Sequence, residues 1–391
     1  MMTKEIRPWL VLAGLTLGVM VTNGFVRFAY GLILPAMRAE LNWSFAQAGW
    51  LNTANAIGYL CGAVITALAI QNISQTKLFS IGLVLTTLSL IATGIEASMW
   101  WQTSWRFLAG FFGAMSFSTA GALVGGLFPK NPRYSALAIA ILFGSGGGCA
   151  ILFAGASLPL MLDKFGTSAW PFAWLLIGGA SLFFLPFSLW AAKQLKTDIQ
   201  KNKSSMPFPI RRLFPITVGY GCFGFGYIVY LTFLSAWMKQ TSASPVFIAV
   251  EWVLLGMCIT VSPFVWRHIL ARYASGFPLA CVLVCIAVGS ALPILLPSSV
   301  SLIISAIIFG ISVFMAPSAI ASFTHKNLPP ESWGRQMSLF TVIFAATQTV
   351  GPYAAGWIGD YFDNIGVSLL FASIILLLGA AFAFFQKPIL R

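Results

Sequence analysis

Three charged side chains lie where charge is costly. Arg27 follows almost twenty uncharged residues and precedes another mostly apolar stretch, in NGFVRFAYG (23–31). With a first span ending near Met37, Arg27 lies about 15 Å below the outer end of a helix, at about 1.5 Å per residue. That is close to the middle of a hydrocarbon core about 30 Å thick. An arginine at that depth costs about 2.5–3.5 kcal/mol even on lenient insertion scales, so it must face water or a partner. Its planar fork suits carboxylates, phosphates or sulfonates. Asn23 (i−4), Tyr30 (i+3) and Gly31 (i+4) fall on the same face at regular helical spacing. We expect Arg27, Asn23 and Tyr30 to meet an anionic group of a substrate; the competing role is a fixed clamp between helices.

Arg106 stands about five residues into its apolar run, about 8 Å deep by the same rise, where it can snorkel outward. Glu251, in SPVFIAVEWVLLG, is the acidic residue placed clearly inside a span. A carboxylate in a low dielectric tends to take up a proton, which suits a proton-coupled cycle. Arg106 and Glu251 are therefore the coupling or gating candidates, at depths that permit a pair; Glu251 facing the outer mouth is the plainer alternative. Asn52, Asn55 and Tyr59 follow i, i+3, i+7 spacing, and Tyr220, Tyr227 and Tyr230 follow i, i+7, i+10. Such stripes, with Gln348 beside Gly351 and Pro352, suit a mostly apolar pocket with a few polar tips. They would serve equally as interhelical hydrogen bonds, at about 0.6 kcal/mol each.

The elements that position these residues follow from composition. The chain has 391 residues, 59% hydrophobic and 8% charged, with a mean hydropathy of +0.89; soluble domains carry about 25% charged residues. Long apolar runs of about 20 residues predict transmembrane helices rather than a barrel. Twelve spans are predicted, near 8–37, 44–70, 77–97, 100–128, 134–162, 168–192, 212–237, 245–266, 276–296, 299–320, 333–358 and 364–386. The fold class is all-α integral membrane protein, in two six-helix bundles. The polar stretch 193–211 separates residues 1–192 from 212–391 as a cytoplasmic linker. With the N-terminus inside, seventeen of the 22 Lys and Arg fall on the cytoplasmic side and three outside. Both termini are therefore expected in the cytoplasm. The first apolar run is too long for a cleavable signal peptide and lacks a small-residue cleavage site.

Other chemistries fit poorly. The net charge of +13 is spread between spans, not gathered with aromatics as in a nucleic-acid surface. The six cysteines lie in apolar runs without metal spacing, and His268 and His325 are assigned to separate loops, so no metal site and no cofactor are expected. The GSGGG run (144–148) imitates a phosphate loop but lies in a span and lacks the following Lys and Ser/Thr. No catalytic constellation is readable, so an enzyme is not expected.

Spans five and eleven echo each other, with a basic start, a small-residue centre and a glycine about 20 residues on, as parallel repeats would place them. Twelve spans, a central basic loop and both ends inside resemble the major facilitator superfamily. More narrowly, RFAYGLILPAMRAELNWSFAQAGWLNTANAIGYLCGA (27–63), GYGCFGFGYIVYLTFL (219–234) and FAATQTVGPYAAGWIGD (344–360) resemble its YbfB/YjiJ-type branch. Arg106-Phe-Leu-Ala-Gly110-Phe-Phe-Gly113-Ala is similar to the superfamily's span-four motif, whose arginine is often tied to proton coupling. GSGGGCAILFAGASLP (144–159) resembles the span-five glycine motif without its Gly-Pro step. The loop ALAIQNISQTKLF (67–79) lacks the acidic and arginine residues of the usual cytoplasmic gate. The resemblance implies a secondary transporter in the inner membrane, working by alternating access, with a small-molecule substrate, the lipid bilayer as partner, protons as the candidate coupling ion and a monomeric habit. An organic anion is the expected substrate. Efflux of amphiphiles is the competing reading, and a non-transporting sensor on the same fold a third.

Overall fold

In the computed structural model, which describes residues 8–125, 127–128, 132–195 and 210–389, the chain is helical almost throughout. The first six helices are α1 (Pro8–Leu41), α2 (Phe45–Ala69), α3 (Gln75–Thr93), α4 (Met99–Gly125), α5 (Pro132–Ala140 continuing through Ile141–Ser145 and Gly146–Phe165) and α6 (Trp170–Lys193). The second six are α7 (Ile210–Gln240), α8 (Pro245–Arg272), α9 (Phe277–Leu295), α10 (Ser299–Asn327), α11 (Pro330–Tyr361) and α12 (Ile365–Phe384). All but α11 contain a window apolar and long enough to cross a membrane on composition alone. The 32 residues of α11 reach about 48 Å, ample for a crossing.

Local chemistry sets the helix ends. Ser44 and Gln47 form a capping box that starts α2, and Ser298 and Ser301 form one that starts α10. Ser244 caps α8 ahead of Pro245 at its first position. Asn42, at φ 51°, ends α1 in the left-handed region that Asn tolerates. Several helices outrun their apolar windows. α1 continues through Arg38 and Glu40, and α8 and α10 carry His268 and His325 in helical turns rather than in loops. Hydropathy reports contact with lipid, whereas helical hydrogen bonding continues into polar surroundings. Pro352 does not interrupt α11, which runs through it.

The two halves repeat one packing scheme. In the first half α1 packs on α6, α2 on α4, α3 on α4 and α3 on α6. In the second half α7 packs on α12, α8 on α10, α9 on α10 and α9 on α12. Between the halves α1 meets α7, while α2 meets α11 and α5 meets α8, two seams that exchange under the same correspondence. The glycine-rich run of α5 belongs to this joint: Gly148 lies against Gly256 and Thr260 of α8, so the run permits close helix approach. Of the expected linker, 193–211, residues 196–209 lie outside the described residues; Lys193 still belongs to α6, and α7 already begins at Ile210.

Two helices contain wide π-helical turns, Met20–Phe25 in α1 and Ile141–Ser145 in α5. They adjoin: a Cβ on Gly146, just after the second, would meet Val19, just before the first.

Candidate functional site

Arg27 projects from α1, just past its wide turn, into the seam between the halves and is 7% exposed. Its Nη2 donates to the Tyr227 hydroxyl of α7 at 2.8 Å and to Oε1 of Gln348 of α11. Tyr227 donates to the same Gln348 oxygen at 3.0 Å. The guanidinium lies over the Tyr59 ring of α2 at 4.7 Å and near Phe344 of α11 at 5.9 Å. Such cation–ring contacts contribute about 0.5–2 kcal/mol when desolvated. Gln348 is fully buried, and its Nε2 has no hydrogen-bond partner among the described residues. A buried amide donor left unmade costs about 1–3 kcal/mol, so it marks a place for an acceptor.

Four rings continue from this cluster. Tyr220, Phe223 and Tyr227 follow one another on α7, and Phe344 faces all three from α11. Their planes lie within 15–22° of each other, with centroids 4.7–5.7 Å apart.

Arg106 is fully buried, not snorkelling as its position in the span suggests. Its Nη1 donates to the Val26 carbonyl at 2.7 Å and its Nη2 to Asn52 Oδ1 at 3.3 Å. It lies over the rings of Tyr30, at 4.9 Å, and Trp174, at 5.3 Å. Counting residues from the helix end gives its depth along α4 but not the neighbour that bars its exit. Among the described residues, neither arginine forms an ion pair with a carboxylate.

The other expected residues divide. Tyr59, Tyr220, Tyr227 and Gln348 gather around Arg27. Tyr30 turns instead toward Arg106 and donates to the Ala48 carbonyl at 2.7 Å. Asn23 stands inside the wide turn, which shifts it from the regular i−4 face; it is buried, with no side-chain bond to Arg27. Asn52 donates to Thr232 of α7 at 2.5 Å while accepting from Arg106. Asn55 donates to the Arg106 carbonyl at 2.9 Å and so ties α2 to α4. Tyr230 pairs with Ser305 at 2.6 Å, away from the Arg27 cluster.

Every hydrogen bond between the halves, among the described residues, lies at the level of Arg27 or toward the end of the bundle opposite the termini. Beyond the Arg27 and Asn52 bonds, Thr53 donates to the Thr349 carbonyl at 2.6 Å. At the far end Asp360 accepts from the amides of Phe45 (2.6 Å) and Ala46 (2.8 Å), capping α2 from α11. Gly31 faces the Leu231 carbonyl and Gly49 the Pro352 carbonyl so closely that a Cβ would collide with backbone.

The family model described as "Uncharacterised MFS-type transporter YbfB" matches residues 19–384. This chain belongs to that family. Its YbfB-type fold is similar to solved transporters along their whole length. One is a bacterial homologue of the human lysosomal transporter Spinster. In its inward-facing, unoccupied form it gives a TM-score of 0.73 at 16% identity, covering 98% of each chain. Its occupied form gives 0.71 at 16% identity, covering 98% of this chain and 97% of that one. The nucleoside transporter NupG gives 0.71 at 13% identity, covering 96% of this chain and all of that one. No curated protein sequence matches at a significant level. The YbfB-type family and these neighbours are transporters, so this is a multi-pass membrane transporter and not an enzyme.

In this YbfB-type chain Glu251 is fully buried on α8, and neither carboxylate oxygen has a hydrogen-bond partner among the described residues. It neither pairs with Arg106 nor faces an aqueous mouth. Sequence reasoning missed Phe223, Phe344, Thr232 and Asp360. Phe223 had a signal, since it completes an i, i+3, i+7 stripe with Tyr220 and Tyr227. Phe344 had one too, four residues before Gln348.

Proposed function

We propose that this transporter carries a small organic anion across the inner membrane by alternating access, with Arg27 as the anchor. The observation that carries the reading is a buried cation with no carboxylate paired to it among the described residues and with neutral partners from both halves. The two oxygens now on Arg27, from Tyr227 and Gln348, are 3.0 Å apart and stand where a bound carboxylate or similar anion would place its own. With an anion present, Arg27, the Tyr227 hydroxyl and the unpartnered Gln348 amide would converge as donors. Tyr59 and Tyr220 complete the substrate contacts in this reading, and Asn23, displaced by the wide turn, does not. Asn52, Asn55, Tyr30 and Tyr230 support the surrounding helices. The termini face the cytoplasm, since that end gathers most of the basic residues; the contacts from Arg27 to Asp360 then close the outer side. Residues 1–192 and 212–391 move as the two bodies, one polypeptide acting as a monomer.

The direct test is uptake and counterflow in proteoliposomes with a panel of anionic, neutral and cationic metabolites. Anions should be carried by the wild type and not by Arg27→Ala. Transport of neutral or cationic amphiphiles, equal in wild type and mutant, would move the assignment to efflux.

Glu251 is the proton carrier in the same reading, because it is an isolated buried carboxyl with no cation to hold it charged. Glu251→Gln cannot titrate, so transport by this variant should lose its pH dependence. A pH–rate profile identical to wild type would assign coupling elsewhere or to none.

A further inference from the structure

The second half carries a groove that transport does not use. It runs between α9 and α12 and holds about 530 Å³. Its walls are one face of each helix at i, i+3, i+4, i+7 spacing, from Phe277 to Cys285 on α9 and from Leu377 to Phe384 on α12. Ala280, Cys281, Ala380 and Ala381 are small and leave the middle hollow. Phe277 and Phe384 stand at one end, their ring centroids 6.4 Å apart. No lining side chain is charged, and none is more polar than a thiol.

The ends of the groove differ. Its deep end stops within the bundle. From Phe277 to Cys285 it runs about 12 Å along the helix axis, against about 15 Å for one leaflet of a hydrocarbon core about 30 Å thick. A partner helix would need an apolar seat across the whole core, whereas a groove confined to one leaflet and parallel to the helices suits a single acyl chain. The other end opens on the side of the termini, beside two exposed cations. Arg272 lies over the Tyr273 ring at 5.6 Å, and that ring packs on Phe277 at 4.8 Å. Lys387 follows Phe384 by three residues, and the Gly276 amide donates to the Gln386 carbonyl at 3.0 Å, which joins the start of α9 to the end of α12. Glu40, Glu96, Asp163, Asp360 and Asp363, the described acidic residues outside the spans, all lie at the opposite end of the bundle.

We propose that this groove binds one anionic phospholipid of the cytoplasmic leaflet, with an acyl chain between α9 and α12 and its phosphate at Arg272 and Lys387. From the reading above the inference takes only the orientation of the bundle, not the substrate. Basic side chains at the cytoplasmic surface attract any anionic headgroup, and an apolar groove accepts any chain. Their conjunction selects a lipid that has both.

The test is native mass spectrometry of the purified full-length protein after incubation with equal amounts of phosphatidylglycerol and phosphatidylcholine bearing the same chains. The wild type should retain one phosphatidylglycerol, favoured about tenfold or more over phosphatidylcholine, on the scale of two basic side chains at one phosphate. Val284→Trp and Ala381→Trp fill the groove from either wall and leave every basic residue in place; each should lose the bound lipid. Arg272→Gln combined with Lys387→Gln should keep the groove and lose the preference for phosphatidylglycerol. Equal retention of the two lipids by the wild type would overturn the selection and needs no variant to fold. A phosphatidylglycerol adduct that survives both tryptophan variants would place the lipid elsewhere on the basic surface and overturn the groove. A preference that survives the double glutamine variant would overturn the headgroup assignment. A wild-type dimer that Val284→Trp converts to monomer would make a second copy the occupant and overturn the lipid. None of these outcomes involves Arg27, so the anion reading stands or falls separately.

Discussion

Two buried arginines, neither paired with a carboxylate among the described residues, sit close together and differ in whom they touch. Arg106 is held by the Val26 carbonyl, Asn52, Tyr30 and Trp174, all in its own half of the molecule. Arg27 is held mainly by Tyr227 and Gln348, from the other half. In the proposed alternating-access cycle, contacts inside one half travel with it, whereas contacts across the seam must break. The difference separates a charge that makes a body rigid from one that can report on what lies between bodies. Asn52 touches both systems, since it accepts from Arg106 and donates to Thr232 across the seam. It is the point where the rigid half presents itself to its partner.

Substitutions can break this contrast. Arg27→Ala should reduce anion transport at least about 100-fold, on the scale of about 2.7 kcal/mol or more for a lost charge-assisted contact. Its thermal midpoint without substrate should fall less than that of Arg106→Ala, because the contacts of Arg27 cross the seam between the halves instead of holding one half together. Arg27→Lys should not rescue, since a point charge cannot reproduce the fork. Arg106→Ala should do the reverse. Loss of two buried hydrogen bonds and a large side chain predicts destabilisation of about 3–5 kcal/mol. The measurement is a strongly lowered melting temperature, with transport per folded molecule less affected. If Arg106→Ala keeps its melting temperature while transport disappears, the two arginines share one role and the contrast fails.

A smaller effect is expected at the far end. Asp360→Asn removes the charge that caps α2 from α11, a contribution of about 0.5–2 kcal/mol. It should shift the population toward a state open at that end, seen as longer distances between spin labels at Glu96 and Leu296. An unchanged distance distribution would make the cap incidental. The smallest effect is expected from Tyr227→Phe, which removes one of three donors around the anion. It should weaken binding about two- to fivefold, within the range for one neutral hydrogen bond.

Much of this was readable from the chain itself, for identifiable reasons. The spans were legible because lipid imposes long apolar runs, and Arg27, Glu251 and Gln348 stood out because each violates that rule. Which residues Arg27 meets was not legible, since Tyr227 and Gln348 lie 200 and 321 positions away. Tyr30 illustrates a subtler failure. Its spacing from Arg27 is right for a shared face, yet its ring leans toward Arg106, because the polar neighbour there comes from α4. Arg106 was expected to snorkel outward because counting along α4 gives a depth but not the Val26 carbonyl and Asn52 side chain that hold its guanidinium inside. The helix ends past Met37 and Trp266 were cut short because they leave the lipid without leaving the helix.

The wide turn at Met20–Phe25 has a consequence for how the first helix is clocked. A π-helical turn holds one residue more than an α-helical one, so it introduces a phase slip of about 100° between the segments on either side. The segment before Met20 can keep its seat on α6 while the segment carrying Arg27 is aimed separately. Moving the extra residue one turn along α1 would swing the guanidinium away from the seam without unpacking the helix's first turns. The aim of the anchor is thus set by where one surplus residue is stored.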